Sequence, residues 1–390
     1  MTGTGRGFRA MRFDLFHVLA NRGNKRSWDE LLDETRARAE MGDELGFDGF
    51  WMGEHHFDRE GADQLPNPIM MAADLAARTT DIRFGMCAVG MPLWHPIRLA
   101  EDLSMLDHFS KGRVDVAFSR GILRGEIVNL NPEADRSNEE KSRAIFQEHL
   151  DIVKSALTDD PFSWKGERYQ IPQPELTWNS PAYKDYHGPD GYMTGLVVLP
   201  HSVQSPIPMY AVSQQEAGWR LAAHQGLGVI TSHPAGKKLR GLNEAYLEEC
   251  EKVGRPAHVG SMAPAVREFC IAETDAEARE MMEEFVTARF DLIRRVRGLG
   301  AWLDIDEDPE DKKLQAMNGF DLMMERDYLF IGSPDSVTER MIRLAREENF
   351  GHFILQQGNG ATDKVERSLR LMAEEVIPRV KAAVEQEGAA

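Results

Sequence analysis

The sequence predicts an α/β fold, a (β/α)8 TIM barrel with insertions, and three observations carry that expectation. Short apolar runs alternate with helix-period stretches eight times along the chain, which implies a parallel sheet able to close on itself. With 390 residues the chain is long enough to bury one large core. The residue types that carry chemistry fall just past the ends of the apolar runs, on the face where barrel enzymes keep their active sites.

The elements follow in order. MRFDLF (11–16) reads as the first strand. Residues 28–45 carry apolar positions near helical spacing, and Gly46 stands where a helix C-cap glycine belongs. FDGFWM (47–52) is the second strand and 68–78 the helix behind it. IRFGMCAV (82–89), a helix over 96–109, RVDVAF (113–118) and a long helix over 138–157 continue the pattern. Residues 158–207, rich in proline, glycine and aromatics, break the rhythm and read as an insertion. PMYAVS (208–213), LGVIT (227–231), VREFCIA (266–272) and HFILQ (352–356) complete eight strands. Helices are expected from 216, over 237–253, behind 266–272 and from 364. The acidic stretch 297–327 is long for a connection, which marks it as either a lid or a disordered segment. Gly332-Ser333-Pro334 reads as a helix N-cap with proline at the first helical position. The whole chain, 1–390, is expected to form one barrel domain, with 1–10 a loose extension.

Acidic residues outnumber basic ones, 64 against 46, a net charge of −18. Such a surface repels phosphate backbones and anionic lipid, which argues against nucleic acid and membrane as partners. No run of about 18 apolar residues is present, and the N-terminus lacks the apolar segment of a signal peptide. Three cysteines, Cys87, Cys250 and Cys270, offer no disulfide framework and point to a reducing cytoplasm.

GFWMGEHHF (49–57) is an apolar run ending in one carboxylate and two imidazoles, Glu54, His55 and His56. A metal site, an acid/base site and a polar strand end without chemistry all fit that pattern. Neighbouring strand residues point to opposite faces, so the two histidines are poorly placed to share one metal. A metal barrel also needs ligands from other strand ends, and none stands there. Arginine beside the site disfavours a cation further, and no metal is expected. Ser119, Arg120 and Gly121 follow the fourth strand, Arg143 lies in the next helix, and Ser213 follows the fifth strand just before a helix begins. Arginine binds phosphate bidentately, and a hydroxyl at a helix start adds donors. These groups make one candidate anion pocket, against the plainer reading that the arginines pair with surface carboxylates.

At these residues the chain resembles the bacterial luciferase-like family of flavin-dependent monooxygenases. The matching stretches are GFDGFWMGEHHF (46–57), HPIRLAEDLSMLDHFSKGRVDVAFSRG (95–121), KSRAI (141–145) and ILQQGNG (354–360), in that order. The resemblance implies that His55 lies by the reactive part of the flavin and moves protons, with Glu54 orienting or charge-balancing it and His56 packing or serving a subunit interface. It implies that Arg120, Arg143 and Ser213 hold the FMN phosphate and that Glu126 lines the pocket. It implies a cis peptide at Cys87–Ala88 beneath the flavin ring. Ser119 takes a place where some relatives carry a cysteine near the flavin, and Gly121 belongs to the same loop. Trp302 becomes a candidate plug in the lid, whereas 183–195 in the insertion has no family counterpart.

The implied activity is oxygenation of a small organic substrate with dioxygen. The cofactor would be reduced FMN supplied by a separate flavin reductase, acting through a flavin hydroperoxide. No G-x-G-x-x-G fingerprint follows a strand, in keeping with a chain that lacks its own nicotinamide site. The alternatives are a deazaflavin-dependent hydride-transfer oxidoreductase on the same fold and a non-catalytic flavin-binding partner subunit. The family also implies a dimer, with a second copy or with a homologue, through 68–78 and 97–109. Met70, Met71, Leu75, Leu99, Leu103 and Leu106 are the expected apolar contacts.

Overall fold

In the computed structural model, residues 11–232, 236–255, 263–348, 350–357 and 362–388 are described. The strands are β1 (Arg12–His17), β2 (Gly49–Met52), β3 (Arg83–Gly90), β4 (Val114–Ser119), β5 (Trp164–Lys165), β6 (Gln170–Ile171), β7 (Met209–Val212), β8 (Gly228–Ile230), β9 (Ala265–Ile271), β10 (Leu329–Gly332) and β11 (His352–Gln357). Nine of them form one sheet in the order β10-β9-β11-β1-β2-β3-β4-β7-β8, and every pair in it is parallel. The sheet closes where Thr231, just past β8, bridges Ala265 of β9. Thr231 N–H donates to the Pro264 carbonyl at 3.1 Å, and Val266 N–H to the Thr231 carbonyl at 2.8 Å. All eight expected strands are therefore present, and β7 to β8 and β9 complete the barrel.

The helices are α1 (Trp28–Glu44), α2 (Pro68–Ala76), α3 (Pro96–Phe109), α4 (Arg124–Leu130), α5 (Glu139–Thr158), α6 (Glu216–Gln225), α7 (Gly236–Lys252), α8 (Asp275–Arg297), α9 (Lys312–Ala316), α10 (Gly319–Glu325), α11 (Pro334–Glu347), α12 (Thr362–Leu371) and α13 (Ile377–Gly388). Their starts carry the expected chemistry. Ser27 and Glu30 form a reciprocal capping box on α1, and Asn138 caps α5. Ser333 caps α11 with Pro334 behind it. Gly46 has φ +77°, the left-handed conformation a residue just past a helix end requires.

The barrel interior is filled by Trp51, Ala117, Tyr210, Ile230 and Ile354, with Phe16, Cys87 and Ala88 against them. Gly85 is needed there: a Cβ on it would lie 2.1 Å from the Trp51 ring. Around this, the outward faces of the strands meet the helices in the main apolar core.

Two expectations need correction. A ninth strand, β10, pairs with β9 from Leu329↔Glu268 to Gly332↔Ile271. Its four residues, all buried, follow the acidic stretch and are too few to show a period. Trp302, the candidate plug, is 2% exposed and packs on Phe290 and Tyr328. Of the apolar residues expected at a subunit contact, Met71, Leu75, Leu99, Leu103 and Leu106 are buried in the chain's own core, and only Met70 projects outward. Helical spacing identifies an apolar face without saying which neighbour covers it.

The 158–207 segment is anchored by two carboxylates. Asp107 of α3 accepts from Gln204 N–H at 2.7 Å, and Glu148 of α5 accepts from Arg168 N–H, Tyr169 N–H and the Trp164 indole.

Candidate active site

Because the strands are parallel, β1, β2, β3, β4 and β7 all deliver their C-terminal ends to one face. β2 stops at Met52, so Gly53 to Phe57 form a loop rather than more strand. A Cβ on Gly53 would lie 3.0 Å from Asp63 Oδ2, 3.6 Å from the His55 ring and 3.7 Å from the Cys87 carbonyl oxygen. The missing side chain lets these three groups converge.

The two imidazoles take different carboxylates. His55 Nδ1 lies 3.2 Å from Glu126 Oε1, and the same oxygen accepts His56 N–H at 2.7 Å. A carboxylate only accepts, so Nδ1 carries the shared proton and Nε2 is left for the cleft that His55 lines. Glu54 does not touch His55, contrary to expectation. It accepts from His56 Nε2 at 2.9 Å, from Gly90 N–H at 3.0 Å and from the Trp94 indole at 3.0 Å. Glu54 thus ties the loop to the end of β3, and Glu126, brought across from α4, holds the first histidine. The side chains separate because the loop turns, not because a pleat alternates.

Burial alone would depress His55, but the Glu126 hydrogen bond and the charges of Asp63, Glu126 and Asp58 outweigh it, and its pKa lies above the ordinary imidazole value. Burial raises Glu126 in turn, yet its bonds to His55 and His56 bring it below the usual carboxylate range. Asp63 is pushed up to about 6 by burial, partly offset by His55. It accepts only long bonds, from Leu19 N–H at 3.3 Å and Leu65 N–H at 3.4 Å. Sequence reasoning missed Asp63 and Trp94. A lone aspartate in DREGAD and one tryptophan before a helix carry no motif.

The Cys87–Ala88 peptide is cis, as the resemblance implied, and both residues lie against the barrel interior. Burial lifts the Cys87 thiol to about 12, so it stays protonated.

At the end of β4, Arg120 Nη1 donates to Glu139 Oε2 at 2.8 Å. Arg143 Nε donates to the same oxygen at 3.2 Å, and Arg136 Nε lies 3.7 Å from the other. Three guanidiniums therefore meet one carboxylate, whose pKa their bonds lower, the Arg120 bond first. Arg136 and Glu139 escaped the sequence reading, although Glu139 stands four residues before Arg143 on one helix face. Ser119 and Gly121 serve the turn: Gly121 N–H donates to Ser119 Oγ at 3.2 Å, Gly121 has φ +80°, and a Cβ there would lie 2.8 Å from Ile127. Ser213 is half-buried: its hydroxyl bonds locally with Gln215, while its backbone N–H donates to the Ile230 carbonyl at 3.1 Å. The register Phe118↔Ala211 nonetheless sets its loop beside that of Arg120.

A cleft of about 990 Å³ opens over His55, His56, Asp63 and Glu126, with Phe57, Ile122 and Leu123 exposed on its rim. Among the described residues no group of three His, Cys, Asp or Glu side chains is placed to hold a metal ion. None of the helices there is long and apolar enough to cross a membrane.

The luciferase-like monooxygenase family model matches residues 11–348. The chain belongs to that family. The oxygenase component of a flavin-dependent trigonelline monooxygenase from Acinetobacter baylyi is 31% identical over 163 residues, 42% of this chain and 44% of that protein. The chain thus spans less than half the length of that relative. The alkanal monooxygenase alpha chain of Photorhabdus laumondii is 24% identical over 91% of this chain and 94% of its own. Among solved structures, the oxygenating constituent of 3,6-diketocamphane monooxygenase from Pseudomonas putida, in complex with FMN, shares the fold with a TM-score of 0.77 at 20% identity, covering 95% and 98% of the two chains. An F420-dependent secondary alcohol dehydrogenase shares it with a TM-score of 0.65 at 16% identity, covering 95% and 99%.

Proposed function

We propose that this chain is the oxygenase component of a two-component monooxygenase. It takes reduced FMN from a separate flavin reductase and uses dioxygen to oxygenate a small organic substrate at the barrel mouth. The observation that carries this reading is the convergence of Arg120, Arg136 and Arg143 on the Glu139 carboxylate, two strands along the sheet from the His55 loop and at the same end of the barrel. Glu139 behaves as an internal stand-in anion, and the donor set around it suits a phosphate. The residues present therefore fit FMN.

Arg120 and Arg143, with the Ser213 hydroxyl, would hold the phosphate once Glu139 swings aside. Cys87 and Ala88 would support the ring from the barrel side. When bound, reduced FMN supplies the electrons and the reaction with dioxygen. The chain positions the reactants and keeps water from them, with the apolar rim of Phe57, Ile122 and Leu123 as one wall. Its own proton chemistry centres on His55. Glu126 fixes the ring through Nδ1, its hydrogen bond and charge raise the pKa and so favour the protonated ring, and Nε2 donates the proton. Glu54 and Trp94 hold the loop that carries it.

The second reading, deazaflavin-dependent hydride transfer, is favoured by the likeness to the F420-dependent dehydrogenase. Anaerobic titration with reduced FMN, reduced riboflavin and reduced deazaflavin separates the two. FMN should bind tightly, and Arg120→Ala should weaken it about ten- to a hundredfold while leaving riboflavin unchanged, since a lost charged hydrogen bond costs about 1.5–3 kcal/mol. Tight deazaflavin binding with none of FMN would overturn the assignment.

The same reading takes the chain as one cytoplasmic barrel unit, with 297–327 as a lid over the mouth. It works as a dimer with a second copy or a homologue, through the outward side chains Met70, Met105 and Phe109 of α2 and α3.

A further inference from the structure

A second cavity, of about 220 Å³, lies between the end of β1, the first turns of α1, and α12. Its polar lining is Arg22, Arg26, Arg38, His17, Glu34 and Gln357, and its apolar walls include Phe16, Leu31 and Val365. None of these residues belongs to the cleft over His55 or to the arginine cluster at Glu139. In the sheet, β1 and β11 are separated from β4 by β2 and β3.

The charge in this cavity is unbalanced. Three arginines face one glutamate, and Glu34 is already paired with Arg26. His17 adds no charge. Burial, with Arg38 and Arg26 nearby, holds its pKa at about 4 despite Glu34. The Thr35 hydroxyl donates to the Leu31 carbonyl at 2.8 Å and so accepts from His17 Nε2 at 3.0 Å. Arg38 is only 6% exposed, yet its Nη1 has no hydrogen-bond partner among the described residues. Its pKa is lowered by desolvation, with Glu34 and Glu366 compensating only through space. A buried guanidinium left short of an acceptor is costly, and an anion in the cavity would satisfy it.

We propose that this cavity binds the carboxylate of a small organic acid, with the acid group on Arg38 and Arg22 and its apolar body against Phe16, Leu31 and Val365. The apolar walls favour an organic acid over an inorganic anion. The site also touches the catalytic loops. Leu19 N–H donates to Asp63, and Asn21 N–H donates to the Gly61 carbonyl at 2.9 Å, so the segment lining the cavity is stitched to the loop that carries His55.

Titration calorimetry on the FMN-loaded full chain tests this, with benzoate as the probe and benzyl alcohol and inorganic phosphate as comparisons. Benzoate should bind, and the other two should bind at least about tenfold more weakly. Arg38→Gln should weaken benzoate about ten- to a hundredfold while leaving FMN affinity unchanged. Arg22→Ser, at the exposed rim, should weaken it in the same direction and keeps the test valid if Arg38→Gln folds poorly. Arg120→Ala should leave benzoate binding to the flavin-free chain intact, which separates this proposal from the FMN assignment. An acid that is itself oxygenated is a substrate held at this end, and one released unchanged is an effector; both require the cavity. Benzoate that fails to bind, that binds both Arg38→Gln and Arg22→Ser like the parent, or that is matched by phosphate would overturn the proposal.

Discussion

Two histidine–carboxylate pairs sit at opposite ends of the barrel strands and do different work. At the N-terminal end of β1 and β11, His352 Nε2 donates to Asp14 Oδ2 at 2.8 Å, with side chains 1% and 0% exposed. Asp14 also accepts from Arg12 Nε at 2.9 Å and the Trp51 indole at 2.6 Å, and Arg12 reaches on to Asp115. At the C-terminal end, His55 meets Glu126 at 3.2 Å, with side chains 29% and 5% exposed above an open cleft. The residue chemistry is alike; the surroundings differ. The lower pair is closed into a network that leaves no approach, so it can only stabilise. The upper pair leaves one ring nitrogen for a ligand.

Their pH signatures have opposite signs. Burial works against the Asp14 anion, but Arg12 and His352 hold its pKa far below the usual carboxylate range. That contribution to stability is present above the unfolded carboxylate value and is lost as pH falls through the folded one. His55 is raised, so its contribution is full below the unfolded imidazole value and is lost as pH rises through the folded one.

The largest effect should come from breaking the lower pair. Asp14→Ala leaves Arg12 and His352 without their buried partner and should cost about 3–5 kcal/mol of stability, measured by denaturant unfolding. If this variant unfolds like the parent while losing turnover, the two ends have been assigned the wrong way round. Next comes His55→Ala. FMN affinity should persist, while product formation in stopped flow falls about 100-fold or more, the worth of a positioned acid. His56→Ala, which loosens the tie between Glu54 and its loop, should chiefly lower the melting temperature. Product made at the parent rate by His55→Ala, but not by His56→Ala, would reverse their roles.

The smallest and sharpest test is Glu126→Gln. The amide keeps the hydrogen bond but removes the charge, so burial depresses His55 with less opposition. The alkaline limb of the turnover profile should move to lower pH, with a loss under roughly tenfold at the acid end of the profile. An unmoved limb would show that Glu126 only packs.

Much of this molecule was legible in its order of residues. Strand–helix alternation follows from local periodicity, and it located eight strands and the face on which Glu54, His55, Arg120 and Ser213 lie. β10 was not legible, because four buried residues hold no period. Pairing was not legible either. Glu126 lies 71 positions from His55, and Glu54 ignores the adjacent histidine for the next one and for β3. Asp63 and the unmatched guanidinium of Arg38 gain their meaning only from burial. By itself the sequence determined which side chains stand at strand ends, since that depends on neighbours along the chain. Only the tertiary structure decided which carboxylate meets which base and which charge is buried unpaired, because closing the barrel joins loops that the chain separates and sets how far water reaches each one.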